Sequence, residues 1–296
     1  MKKIIFAIVV ILLVVFGIYW FTNMSKSVTV EPAKETVNQV ATTTPANENK
    51  PETVIGTSVG GRSIKAYHFG TGTKEVLFVG GVHGGYAWNT SAVAYELINY
   101  LKANPNAVPA SVKVTVVPVL NPDGLSKVVA NVDGFTAADV KATEATKVAG
   151  RFNGNNVDLN RNFDCDWNAS AVWQNKKVSG GSAAFSEPES LAIKNYIETK
   201  LPKAVVVWYS AAGGVFASNC HTGIPAETKT LTNLFAKASG YPAYEEFNFY
   251  ETTGDMTNWL AKKGIAAISV LLTTHDSVEW SKNKLGVEAI LNYFAK

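Results

Sequence analysis

Four apolar runs constrain this chain more than any other feature: EVLFVG at Glu75–Gly80, VKVTVVPVL at Val112–Leu120, AVVVWY at Ala204–Tyr209 and AISVLL at Ala267–Leu272. Each is apolar on both faces, so neither side of the strand it forms can face water; that is the condition of a parallel sheet covered by helices. The stretches between the runs are long enough to cross over. In the first, Ala94, Leu97, Ile98 and Leu101 recur at the i, i+3, i+4, i+7 spacing of one helical face. An α/β fold with a mostly parallel central sheet flanked by helices follows. Ahead of it, SVGGRSIKAYHFG at Ser58–Gly70 alternates around a Gly-Gly turn and reads as a hairpin.

In such a sheet the ligand-facing loops gather at the carboxyl ends of the strands. Here those ends read VHGGYAW, NPDG, YSAAGG and TTHDS, and the long irregular loop RFNGNNVDLNRNFDCDW adds most of the remaining unusual residues. A histidine lifted by a glycine turn directly after a strand, as His83 is, is a common start of a metal site, which usually takes a second ligand three or four residues on. Tyr86 and Ala87 stand at those places. The other reading of His83 is a ring that hydrogen-bonds the glycine turn.

The net charge of +3 is mild and the lysines are scattered, which excludes a nucleic-acid footprint. Lys2 and Lys3 precede the uncharged apolar run Ile4–Phe21, and no small-residue cleavage site follows it. This favours a retained signal anchor over residues 1–21, with everything after it outside the cytoplasm. Residues 22–52, centred on ATTTPANENKPE, hold too little apolar surface to fold and read as a flexible extracytoplasmic linker. A single domain over 53–296 remains. In that compartment a disulfide between Cys165 and Cys220 is expected, two half-buried thiols being the alternative.

Taken together, VHGG, NPDG, RFNGNNVDLNRNF, FSEPES and a closing strand entered through KGIAAISV resemble the zinc carboxypeptidase family, the carboxypeptidase A-like metallopeptidases, over about residues 53–296. DLNRNF and SEPE are the most specific pieces, and the likeness is greatest to bacterial members that trim peptides outside the cell, including cell-wall stem peptides. The resemblance implies a carboxypeptidase-like fold and a zinc held by two histidines and a glutamate, with a separate glutamate as general base. It assigns polarisation of the scissile carbonyl to Arg151, and the grip on the substrate's terminal carboxylate to Asn160 and Arg161.

The same resemblance shows what is missing. His83 matches the first zinc histidine, but the ligand glutamate is replaced by Tyr86 or Ala87, the second histidine by Tyr209 and the base glutamate by Leu271. A phenol with an ordinary pKa of about 10 is a poor neutral-pH ligand beside a lone imidazole. The expectation is a membrane-anchored protein of carboxypeptidase fold that holds no zinc, lacks catalysis and binds peptide C-termini or cell-wall peptides. The alternative is a working metallocarboxypeptidase that recruits His221, His275, Asp255 or Asp276. SEPE also reads as a capping box, with Ser186 as N-cap and Glu189 reaching back. Asp158, Asp164 and Asp166 are the nearby acids that could instead neutralise the two arginines.

Overall fold

The computed structural model describes residues 50–296; the expected anchor and nearly all of the expected linker lie outside the described residues. Among the described residues no helix is long and apolar enough to cross a membrane. The strands are β1 (Glu52–Thr57), β2 (Ser63–Phe69), β3 (Lys74–Val79), β4 (Val112–Val117), β5 (Ser170–Trp173), β6 (Lys176–Ser179), β7 (Ala204–Ser210), β8 (Gly214–Ala217), β9 (Ala243–Tyr244) and β10 (Ala266–Leu272). The helices are α1 (Trp88–Ala103), α2 (Pro122–Leu125), α3 (Glu144–Ala149), α4 (Pro188–Lys200), α5 (Ala226–Ser239), α6 (Met256–Lys262) and α7 (Trp280–Ala295), with short 3-10 turns between some of them.

Eight strands form one sheet in the order β1-β2-β4-β3-β7-β10-β8-β9. The central four, β4-β3-β7-β10, are parallel and are the four apolar runs. Antiparallel β1, β2 and β8 extend this centre on its two sides, and β1 and β2 are the expected hairpin.

Because side chains alternate across a strand, the same runs supply two cores. Val76, Phe78, Val206, Trp208, Ile268 and Val270 point to one face, against α1, α5 and α7. Leu77, Val79, Val205, Val207, Tyr209 and Leu271 point to the other, against α4 and α6. Each fully buried side chain of this size contributes about 1.5–3 kcal/mol. The second face matters for function. Tyr209 and Leu271 are direct register partners there, with Gly214 opposite Leu271 on the far side.

The capping box at SEPE does not form. Helix α4 starts at Pro188 with Glu187 as N-cap and no side-chain cap bond. Proline fits the first helical position, which shifts the start one residue past Ser186. Glu189 does not reach back to Ser186; it accepts from Asn153 Nδ2 at 3.0 Å and from the Val59 amide at 3.2 Å.

Candidate functional site

Three loops meet backbone to backbone at the carboxyl end of β3. The Gly85 amide donates to the Gly150 carbonyl at 2.9 Å, and the Asn121 side chain caps α2 at 2.8 Å while donating to the Arg151 carbonyl at 3.2 Å. A Cβ at Gly84, whose φ is +44°, would stand 2.7 Å from the Gly150 carbonyl oxygen, so the HGGY turn requires glycine there. This packing fixes His83 and Arg151 next to each other.

His83 is 5% exposed, and neither ring nitrogen has a hydrogen-bond partner among the described residues. It does not bond the glycine turn. Its Nε2 lies 3.6 Å from Asp158 Oδ1, beyond hydrogen-bond reach, and its ring packs against Tyr209 at 5.5 Å between centroids. Burial, and next the charge of Arg151, push its pKa well below the ordinary histidine value, so the imidazole is neutral.

Asp158 is the partner of Arg151. Arg151 Nε donates to Oδ2 at 2.8 Å and Nη2 is in ion-pair contact with the same oxygen at 2.8 Å, though not aligned for a hydrogen bond. The guanidinium is 1% exposed and lies 4.4 Å from the Trp173 ring of the β5–β6 hairpin and 5.6 Å from Tyr86. Burial opposes ionisation of Asp158, yet the neighbouring charges, Arg151 first, hold its carboxyl below the ordinary range.

Asn160 and Arg161 follow in the 3-10 turn that Asp158 caps at the Asn160 amide, 3.1 Å away. The Asn160 side chain donates to Asp255 at 2.8 Å and accepts from the Tyr209 hydroxyl at 2.8 Å and the Met256 amide at 3.2 Å. Burial, with Asp255 beside it, raises the Tyr209 pKa well above the ordinary phenol value. Arg161 is also 1% exposed, but it donates only to carbonyls: Asn160 at 2.8 Å and Val172 at 3.3 and 3.4 Å. Among the described residues no carboxylate is within ion-pair distance of it. Of the other acids, Asp164 pairs with Lys262 and Asp166 with His221.

The structure therefore brings His83, Tyr86, Tyr209, Leu271, Arg151, Asn160 and Arg161 to one end of the sheet, with Ala87 buried at the start of α1. It separates His221, which is exposed beside the disulfide, and Asp276, which pairs with Lys147 at 3.0 Å. Cys165 and Cys220 are joined, their Cα atoms 6.1 Å apart, tying the Asn-rich loop to the end of β8. Among the described residues the one group of three close metal-ligand side chains is Cys165, Cys220 and His221, and its sulfurs are consumed by that disulfide.

The His275 ring packs tilted against Tyr86 at 4.3 Å between centroids, and its Nδ1 lies 3.1 Å from Ser210 Oγ. The pair is not an activated serine. Asn89 Nδ2 donates to the carbonyls of Thr274 and Ser277, which fixes its oxygen as the acceptor from Ser210 at 3.1 Å, so His275 must donate to the serine.

A cavity of about 190 Å³ opens beside His83, with Asn160, Tyr209, Leu271 and Asp255 in its wall. Phe216, Phe247, Tyr250, Thr257, Ser269 and Glu246 also line it, and sequence reading did not find them. For Glu246, Phe247 and Tyr250 the only signal is the acidic and aromatic string YEEFNFYE at Tyr244–Glu251, which has no period of a strand or a helix.

With this geometry in view, the zinc carboxypeptidase family model matches residues 38–292, and the chain belongs to that family. It is 25% identical over 219 residues to gamma-D-glutamyl-L-diamino acid endopeptidase 1 of Lysinibacillus sphaericus, a match covering 67% of this chain and 54% of that protein. The chain thus spans little more than half of that relative. Among solved structures, bovine thrombin-activatable fibrinolysis inhibitor superposes with a TM-score of 0.64 at 15% identity, over 82% of this chain and 89% of that one. Murein-tripeptide amidase MpaA of Escherichia coli O157 gives 0.56 at 20% identity, over 83% and 92%. These two likenesses show the fold.

Proposed function

We propose that this chain is a membrane-anchored, extracytoplasmic zinc carboxypeptidase homologue whose metal and base positions are lost, and that it binds peptide carboxyl ends without cleaving them. One contrast carries the reading: apart from His83, the donors a metal would need are replaced or engaged, whereas the Arg161 guanidinium has no carboxylate partner among the described residues. The residues present do not fit zinc. They are one neutral buried imidazole, a phenol that keeps its proton and donates it to Asn160, an aliphatic Leu271, and an Asp158 already paired with Arg151. Without a metal-bound water there is nothing for a general base to activate, and no base stands at Leu271.

Binding needs less. A peptide carboxylate at Arg161 forms charge-assisted hydrogen bonds and supplies the missing counter-charge. Arg161 adjoins the cavity through Asn160 and through Tyr250, whose ring lies 5.9 Å from its guanidinium carbon. The names of the Lysinibacillus endopeptidase and the Escherichia amidase support cell-wall peptides as the ligand class. The N-terminal apolar run supports the anchor. The alternative enzyme would have to draw His275, Asp255, His221 or Asp276 toward His83.

Calorimetry with the full chain tests the proposal. A short peptide with a free carboxyl end should bind about tenfold or more tightly than its amide. Equal affinity for acid and amide contradicts it, and chelator-sensitive release of C-terminal residues by the unmodified chain would establish the alternative.

A further inference from the structure

The disulfide that ties the Asn-rich loop to the end of β8 has a metal-type side chain directly after each of its cysteines: Asp166 follows Cys165, and His221 follows Cys220. The two meet, with His221 Nε2 2.8 Å from both carboxylate oxygens of Asp166. Both residues have a left-handed backbone, φ +52° at Asp166 and +64° at His221, an uncommon conformation away from glycine. These turns place Asp166 Oδ2 3.8 Å from Cys165 Sγ, and a ring nitrogen of His221 within 4.8 Å of both sulfurs. The cysteines are buried, whereas Asp166 and His221 are exposed, so the group lies just under the surface.

Two thiolates and an imidazole are a zinc donor set, and a carboxylate behind the imidazole is the outer partner that orients a metal-bound histidine. Zinc bonds of about 2.0–2.3 Å in a tetrahedron set the ligand atoms about 3.3–3.8 Å apart. The three donors already stand within 4.8 Å of one another, and side-chain rotation parts the sulfurs once the bond between them is broken.

We infer that this cross-link is a redox-gated zinc site, separate from the His83 region. Closed as a disulfide it holds no metal; reduced, it binds one zinc ion through Cys165, Cys220 and His221, with water in the fourth position and Asp166 orienting the ring. A dithiol reductant supplies the two electrons. Its thiolate attacks one sulfur, its second thiol resolves the mixed disulfide, and the products are the oxidised reductant and two cysteine thiols. Zinc then replaces the two thiol protons, which pass to solvent. Either form joins the loop of Arg161 to β8. The Gly254 amide donates to the Cys165 carbonyl at 2.7 Å, and the next residue, Asp255, holds Asn160, so zinc keeps this loop in place when the disulfide is lost.

The test compares the full chain, oxidised and after anaerobic reduction by a phosphine, counting zinc by mass spectrometry after buffer exchange and using cobalt as a coloured probe. The oxidised chain should hold far less than one zinc. The reduced chain should hold about one, show a thiolate-to-cobalt charge-transfer band, and melt at a higher temperature with zinc than without it. That last readout separates a site in the folded chain from loose thiols in an unfolded one. Zinc affinity of the reduced chain should fall about 10–100-fold in Asp166→Asn, fall at least as far in His221→Ala, and stay unchanged in His83→Phe. The double variant Cys165→Ser, Cys220→Ser should bind none. A reduced chain without zinc, zinc that survives in the double serine variant, or zinc that leaves the melting temperature unmoved overturns the inference. So does a disulfide that the reductant cannot open in the folded chain.

Discussion

Arg151 and Arg161 lie in the same loop, are equally buried and come from one motif, yet they are held in different ways. Arg151 is closed on Asp158 and covered by Trp173. Arg161 is held by two main-chain carbonyls alone. A buried charge whose counter-charge is built into the fold belongs to the scaffold, whereas one held only by neutral acceptors remains available to an anion from outside. Arg151 is thus a structural ion pair at the position the resemblance gave to catalysis, and Arg161 is where binding is proposed.

The largest expected effect comes from breaking the closed pair. Asp158→Ala leaves Arg151 buried and unpaired, and should cost about 3–5 kcal/mol of stability, read from denaturant midpoints. A loss below about 1 kcal/mol would mean that the pair does not hold the loop. Arg161→Met should be milder for the fold, about 1–2 kcal/mol, because it leaves only carbonyls unsatisfied. The same change should weaken binding of free-carboxyl peptides about tenfold or more. If it unfolds the protein as severely as Asp158→Ala does, the two arginines are alike and the contrast disappears.

A smaller effect follows from the histidines. His68, His83 and His275 all have pKa values lowered chiefly by burial. The unfolded chain then binds protons near the ordinary pKa of about 6.5 while the folded one does not, so stability is full above that pH and falls as pH drops below it. Thermal melts between about pH 7.5 and 5.5 should show this decline, and His83→Phe should flatten it, since His83 has the deepest burial. A slope unchanged in that variant would show that His83 titrates alike in the folded and unfolded chain, against the lowered pKa.

How much of this could be read from residues alone depends on what fixes each part. The four parallel strands were legible because burial on both faces writes itself as an unbroken apolar run, and the β1–β2 hairpin because alternation flanks a Gly-Gly turn. Strands β5, β6, β8 and β9 were not, being two to four residues long and set by partners rather than by pattern. Nor was the start of α4, where the fit of Pro188 and the pull of Asn153 on Glu189 outweighed the capping-box spacing. Proximity named three acids as partners for the arginines. Only the 3-10 turn at Leu159–Arg161 decides that Asp158 faces Arg151 and that none of the three is within ion-pair reach of Arg161. The cavity was invisible because Phe216, Thr257, Ser269 and Tyr250 come from separate segments that share no spacing.

The central claim concerns the metal. Full-length protein purified in the presence of zinc and passed through buffer exchange should be assayed for bound metal by mass spectrometry, with melting followed before and after chelator. The account predicts far less than one zinc per chain and a melting temperature that chelator does not move, because the two cores close on apolar packing alone. About one zinc per chain, with a drop of several degrees on chelation that zinc reverses, would contradict it.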